Sequence, residues 1–258
     1  MKQLIGNFKK YKFLLYELIK KDIKLKYRRS YLGIFWTLLE PLLTMIVLAI
    51  VFGGFYGKSD KQFPVYILTG RLLFAFFNSG TKSACKSIQG HASMIKKVYI
   101  PKYIYPVASI LSNFIIFLIS LIVLIGVAAY FRVQPTGYLV QAIIPLILLL
   151  LLTMGVGMIL ATLCVFFRDL EYLWSVVCMF IMYASAIFYD PAKVVTRGYG
   201  WVLDINPVYA AICNFRHAIY GEPMDMEKFI YLLVVSVVSM IVGFVLFYKK
   251  QDDFILHI

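Results

Sequence analysis

Hydrophobic residues in this chain come in long runs rather than short alternating bursts. Six of the runs approach or exceed the roughly 20 residues that a helix needs to cross the hydrocarbon core of a bilayer. They predict spans over residues 37–55, 65–84, 103–131, 139–167, 172–189 and 229–248. The third and fourth are longer than a perpendicular crossing requires, which implies tilt or extension beyond the bilayer. Pro106 and Pro145 fall in their first turns, where proline is tolerated. The fifth is the shortest and has the least sharply drawn ends.

Ahead of the first run the pattern changes. Tyr11, Leu14, Leu15, Leu18, Ile19 and Leu25 fall on one face at helical spacing, and Glu17, Lys20, Lys21, Lys24 and Arg28 fall on the other. That is the pattern of a helix lying in a membrane interface. Asp22 and Lys26 intrude on the apolar side, and a solvated basic tail is the plainer alternative. The stretch Lys20–Gly54 thus turns a basic surface helix, through an aromatic and glycine patch at Tyr31–Trp36, into the first span.

The expected fold is all-α: a polytopic membrane protein with six transmembrane helices and an N-terminal amphipathic interface helix. Residues 1–36 form the cytoplasmic tail and interface helix, 37–248 the membrane domain, and 249–258 a second cytoplasmic tail. Composition agrees, with 62% hydrophobic and 15% charged residues and a mean hydropathy of +0.82, far from the roughly half-apolar makeup of soluble domains. The first run lies too late and is too long for a cleaved signal peptide, so insertion would use the first span itself.

The net charge of +13 could suggest a nucleic-acid partner, but its placement argues for a membrane. With the N-terminus inside, 18 of the 26 Lys and Arg residues fall on the cytoplasmic side and seven outside, with Arg71 inside the second span. This bias puts both termini in the cytoplasm.

Two connections stand out. The segment from Cys85 to Lys102 is cytoplasmic and basic, long enough for a short helix, and can dock a soluble partner or be a simple charged turn. In the outer segment between spans five and six, Asn206 is placed to cap and Pro207 to begin a helix that Gly221 stops. Its apolar stripe of Val208, Ala211, Ile212, Phe215 and Ile219 predicts an interfacial or re-entrant helix, with a plain extracellular amphipathic helix as the alternative.

Catalytic chemistry is missing from the pattern. Embedded ionisable residues are few: Glu40, Arg71, and Arg168 with Asp169 and Glu171 at a turn. His91, His217 and His257 lie in separate loops or tails with no second ligand type at metal spacing. Cys85, Cys164, Cys178 and Cys213 have no C-x-x-C spacing and are expected to form neither a disulfide framework nor a metal site. The run GGFYGKS at Gly53–Ser59 has three residues between its glycines where a phosphate-binding loop needs four, and it follows a span instead of a strand. Neither catalytic nor metal-binding residues are therefore expected, and energy for any pumping must come from a partner.

Aromatic residues make up 17% of the chain, more than interfacial belts at two membrane surfaces require. Aromatic faces suit the C–H-rich faces of sugars, so rings in a conduit could form a track for a glycan. Candidates are Tyr31, Phe35 and Trp36 at the cytoplasmic threshold, Phe74 and Phe77 in the second span, and Tyr183, Phe188 and Tyr189 near the end of the fifth. Core packing and interfacial belts account for such rings equally well.

Four stretches in register carry a resemblance. YRRSYLGIFWTLLEPLL at Tyr27–Leu43, IKKVYIPKYIYPVASIL at Ile95–Leu111, FFRDLEYLW at Phe166–Trp174 and INPVYAAICNFRHAIYG at Ile205–Gly221 are similar to type-2 ABC-transporter permeases that export polysaccharides, the O-antigen and teichoic acid exporters. The resemblance covers nearly the whole chain. It departs at GRLLFAFF, Gly70–Phe77, where the family often has Trp in place of Phe74, and at IFYDP, which lacks the usual proline inside the fifth span.

The resemblance implies a homodimeric permease in the plasma (inner) membrane with two copies of a nucleotide-binding ATPase subunit on its cytoplasmic side. No cofactor is bound by this chain, and ATP and Mg belong to the partner. Coupling to the ATPase would fall to Lys20, Lys24 and Arg28 of the interface helix and to Ile88, Met94, Ile95, Lys96, Lys97, Tyr99 and Pro101 of the loop. The cargo would be a lipid-linked glycan whose diphosphate could meet Lys24, Lys26, Arg28 and Arg29; attraction to anionic headgroups explains those cations as well. A permease for a small drug or lipid, a membrane-embedded transferase and a structural scaffold are the rival readings.

Overall fold

The computed structural model describes residues 2–28, 30–56, 62–97 and 100–256. Several positions singled out above, namely Arg29, Tyr99, Gly57–Ser59 and His257, lie outside the described residues. The described chain is helical, with no strand among the described residues. In order come α1 (Lys2–Tyr27), α2 (Trp36–Tyr56), α3 (Phe63–Gly90), α4 (Ala92–Ile95), α5 (Ile104–Tyr130), α6 (Ile143–Phe166), α7 (Leu170–Tyr183), α8 (Ala192–Val195), α9 (Gly200–Asp204), α10 (Pro207–Tyr220) and α11 (Met226–Lys250). Short 3-10 segments lead into α2 and α6 and follow α11.

Four helical segments, Gly33–Gly53, Ile104–Tyr130, Gly137–Phe166 and Met226–Lys250, are long and apolar enough to cross a bilayer. The protein is therefore a multi-pass membrane protein. The second expected span, α3, has the length at 28 residues but is diluted by Arg71, Asn78 and Lys82. It sits at the centre of the bundle instead, packed against α5 and α6 and flanked by α2, α7 and α10. Val65, Ile67, Leu68, Leu73 and Ile88 are fully enclosed there. By contrast α2 and α7 turn Ile46, Val47 and Ile50, and Leu173, Val176 and Phe180, outward, the surface expected of helices that face lipid or another apolar chain.

The fifth apolar run predicts a helix to residue 189, yet α7 ends at Tyr183. The following turn holds Ala186 at φ +45°, and side chains from distant helices take its carbonyls. Asn206 donates to the Ala184 carbonyl at 3.0 Å and to the Ser185 hydroxyl at 2.8 Å. Hydropathy cannot register such a stop, because the residues beyond it remain apolar.

The connection between α7 and α11 holds three short helices, α8, α9 and α10. Asn206 caps α10 by accepting from the Val208 and Tyr209 amides, Pro207 opens it, and Gly221 ends it at φ +79°, as the sequence predicts. Its stripe is buried against α3, α6 and α11 rather than laid on a surface.

The cysteine expectation needs correction. Cys85 near the end of α3 and Cys164 near the end of α6 form a disulfide with Cα atoms 5.6 Å apart. They lie 79 residues apart and meet because α3 and α6 pack side by side, which local spacing cannot reveal.

Candidate functional site

A polar cleft of about 640 Å³ opens between α1, α3, α5 and α7. Each helix contributes residues at helical spacing: Asp22 and Lys26 from α1, Ser79, Lys82, Ser83 and Lys86 from α3, Ser109, Ser112 and Asn113 from α5, and Glu171 and Ser175 from α7. Residues three and four apart share a helix face, so the basic helix α1 and the largely apolar α3, α5 and α7 turn hydrophilic stripes toward one space. His91, just beyond α3, closes one end.

Within the cleft, Asn113 bridges α5 to α3 by donating to the Ser83 hydroxyl at 3.0 Å and to the Ser109 carbonyl at 2.8 Å. Lys86 pairs with Glu171 at 2.5 Å. Ser109 donates to Asp22 at 3.4 Å, docking α1 onto α5. Burial pushes the Asp22 carboxyl above its ordinary range, and His91, Ser109 and Lys21 only partly offset this. The His91 ring stacks on Tyr105, 4.8 Å between centroids, and its Nδ1 lies 2.8 Å from the Ser87 carbonyl. Among the described residues no carboxylate lies within ion-pair distance of Lys26 or Lys82. The cleft thus offers two ammonium groups without a carboxylate at ion-pair distance, that of Lys26 standing 6.0 Å from the centre of the Tyr27 ring, and many hydroxyls, a set that suits an anionic, hydroxyl-rich ligand.

Beside the cleft, α1, α4 and the start of α5 share a hydrophobic cluster with the ends of α6 and α11. Ile88 and Ile95 are buried in or against it, whereas Lys96 and Lys97 are exposed and Met94 is half-buried. The loop therefore has an inner face that anchors it and an outer face free for a partner. Lys20 and Lys24 are exposed on α1, as is Arg28 in the turn just after it, while Lys26 reaches the cleft. Pro101 is half-buried at the foot of α5.

The aromatic candidates divide in two groups. Tyr31, Phe35 and Trp36 are exposed at the α1–α2 junction, as is Tyr183 on α7. Phe74 and Phe77 are 2% exposed in the core, Phe77 against Trp174. Phe188 is buried, stacked on Phe52 at 5.3 Å with Tyr183 beside it. Phe74 and Phe77 are thus packed within the core of this chain.

At the opposite end of the bundle, the Arg216 guanidinium of α10 lies 3.4 Å over the Tyr66 ring. It donates to the Tyr66 carbonyl at 2.9 Å, the Ala186 carbonyl at 3.0 Å and the Thr69 hydroxyl at 3.3 Å. The Tyr66 hydroxyl donates to the carbonyls of Ala186 and Tyr189. This knot ties α10 and the turn after α7 to α3.

The family model for ABC-2 type transporters matches residues 14–220, which takes in the cleft, the α4 loop and the knot. The chain belongs to that family. Among similar proteins, the O-antigen export system permease protein RfbA of Myxococcus xanthus is 25% identical over 256 residues, 98% of each chain. Its counterpart in Klebsiella pneumoniae is 26% identical over 243 residues, 93% of each. The polysialic acid transport protein KpsM of Escherichia coli is 21% identical over 258 residues, 96% of this chain and 97% of that one.

Of the residues that the sequence singles out, Asp22, Lys26, His91 and Glu171 line the cleft of this transporter, whereas its serines, Asn113, Lys82 and Lys86 were not read as part of a site. The signal was present: Ser79, Lys82, Ser83 and Lys86 on α3, and Ser109, Ser112 and Asn113 on α5, are polar positions at helical spacing inside segments otherwise treated as uniformly apolar.

Proposed function

We propose that this chain is the membrane subunit of an ATP-driven exporter that moves a lipid-linked polysaccharide or teichoic acid polymer from the cytoplasm across the plasma membrane. Family membership and similarity to named export permeases along nearly the whole chain support that reading. The single structural observation that carries it is the lysine- and hydroxyl-lined cleft beside the α4 loop. A diphosphate-linked glycan presents anionic oxygens to Lys26 and Lys82 and hydroxyls to the serines and Asn113.

In this reading six segments cross the membrane, α3 as a sheltered central span and α7 with the turn after it as a short one, and both termini are cytoplasmic. Two copies assemble through the outward apolar faces of α2 and α7, and a conduit runs between them past Tyr31, Phe35, Trp36 and Tyr183. Two ATPase subunits dock on the α4 loop at Lys96 and Lys97 and on α1 and the turn after it at Lys20, Lys24 and Arg28. ATP and Mg are bound by those subunits.

The test is export of labelled lipid-linked glycan by the permease–ATPase complex in proteoliposomes. Lys26→Glu with Lys82→Glu should lower export about tenfold or more at unchanged assembly, since each removed charge-assisted bond is worth roughly 1.5–3 kcal/mol. Wild-type rates in the double variant would remove the cleft from the path. ATP-driven movement of small lipids without any glycan would favour a lipid permease instead.

A further inference from the structure

The sequence shows no partner for the tail after α11, but the structure pins its residues 251–256. Phe254 is fully buried. Its ring meets Phe247 of α11 at 5.1 Å and Phe166, the last residue of α6, at 5.9 Å, both edge to face. Such aromatic contacts add about 0.5–1.5 kcal/mol to area burial, so a six-residue extension is held firmly by one side chain.

The same extension grips the α4 loop. Lys102 follows Pro101 at the foot of α5, and its ammonium donates to the Gln251 carbonyl at 2.5 Å. It also stands 6.0 Å from the centre of the Phe254 ring, within the range of a cation–π contact. Ile95 of α4, Tyr103 just before α5, Ile104 of α5, and Phe247 and Phe254 all belong to one hydrophobic cluster. Packed interiors transmit displacement because they deform little. A push on α4 therefore has a direct route through Lys102 and Phe254 into the ends of α6 and α11.

We propose that Gln251–Leu256 is a hook that positions α6 and α11 against the coupling loop, with Phe254 its pin and Lys102 its latch, so that movement of the loop by a partner ATPase shifts those two helices. The proposal rests on the exporter reading above. It assigns a positioning role, not a binding role, to Phe254.

The experiment uses the full permease–ATPase complex in proteoliposomes and follows ATP hydrolysis and glycan export together. In Phe254→Ala and in Lys102→Met, hydrolysis should stay within about twofold of wild type while polymer exported per ATP falls about tenfold, and Phe254→Leu should recover most of the loss. A merely structural role would lower assembly, hydrolysis and export in parallel. Unchanged export per ATP in both variants overturns the hook, as does a parallel fall in both. Should Phe254→Ala fail to accumulate, Lys102→Met decides, because it leaves the buried ring in place. If the wild-type complex moves no glycan, it is the exporter reading that fails, and the loss is seen before any variant is tested.

Discussion

The Ser120 hydroxyl of α5 lies 3.0 Å from the backbone carbonyl of Thr37 in α2, and Thr37 is the residue four before Pro41. Proline has no N–H, so the carbonyl four residues earlier loses its helical partner. Thr37 is 3% exposed, which keeps water from replacing that partner. Ser120, also 3.0 Å from its own Ile116 carbonyl, supplies the donor that α2 cannot. Ser120→Ala should therefore cost about 1–3 kcal/mol, seen as a lower unfolding temperature in detergent. In a Pro41→Ala background the helix regains its own bond, and the same substitution should cost much less. Equal penalties in the two backgrounds would refute the account, since only coupled sites depart from additivity.

That pair also marks where sequence reasoning stops. Helix existence was legible, because apolar runs and the Asn206, Pro207 and Gly221 signals act within one segment. The partner of a freed carbonyl is not, since Thr37 and Ser120 meet only after α2 and α5 pack. The Cys85–Cys164 bond and the end of α7 at Tyr183 were hidden for the same reason. The cleft was half legible: Lys26 stood out as a charge on an apolar stripe, whereas Ser79, Ser83 and Asn113 were small polar residues absorbed into a hydropathy average.

Gly155 of α6 and Gly243 of α11 form the tightest helix crossing. A Cβ on Gly243 would lie 2.4 Å from the Gly155 carbonyl oxygen, and one on Gly155 would lie 2.4 Å from the Met240 nitrogen. Both obstacles are backbone and cannot rotate aside. In lipid, helices associate largely through such close contact of small residues. Either glycine changed to Ala should destabilise the protein by about 1–3 kcal/mol, the usual cost of overpacking. Gly126→Ala, which meets nothing within 4 Å, serves as the control. An unfolding temperature for Gly243→Ala equal to that of the control would contradict the crossing.

Asp22 makes the docking of α1 depend on pH, the contact weakening as its carboxyl loses its proton. Its carboxyl, raised by burial beside His91, Lys21, Ser109 and Ser112, holds its proton to higher pH in the folded protein than in the unfolded chain, where about 3.9 is usual. The stability this contributes is complete below the unfolded value and is lost as pH rises through the folded one. Asp22→Asn should therefore flatten the dependence of unfolding temperature on pH across the weakly acidic range and raise that temperature at neutral pH. Parallel curves for the two proteins would exclude a role for this carboxyl.

Arg216 is 6% exposed and is bonded to carbonyls and a hydroxyl rather than to a carboxylate. Its place is built for a flat fork: a Cβ on Gly70 would come within 2.7 Å of the guanidinium, and the Tyr66 ring covers the other side. A lysine has one compact ammonium and cannot reach three acceptors in that plane. Arg216→Lys should thus cost roughly 1.5–3 kcal/mol for each charge-assisted bond left unmade. Tyr66→Phe keeps the stacking and the carbonyl but removes the hydroxyl that serves Ala186 and Tyr189, and should cost about 1 kcal/mol. The order of the two losses is the informative result, together with faster proteolysis between α7 and α10 in the lysine variant. If Tyr66→Phe proved as damaging as Arg216→Lys, the tyrosine hydroxyl and not the guanidinium would be what holds the turn at Ala186.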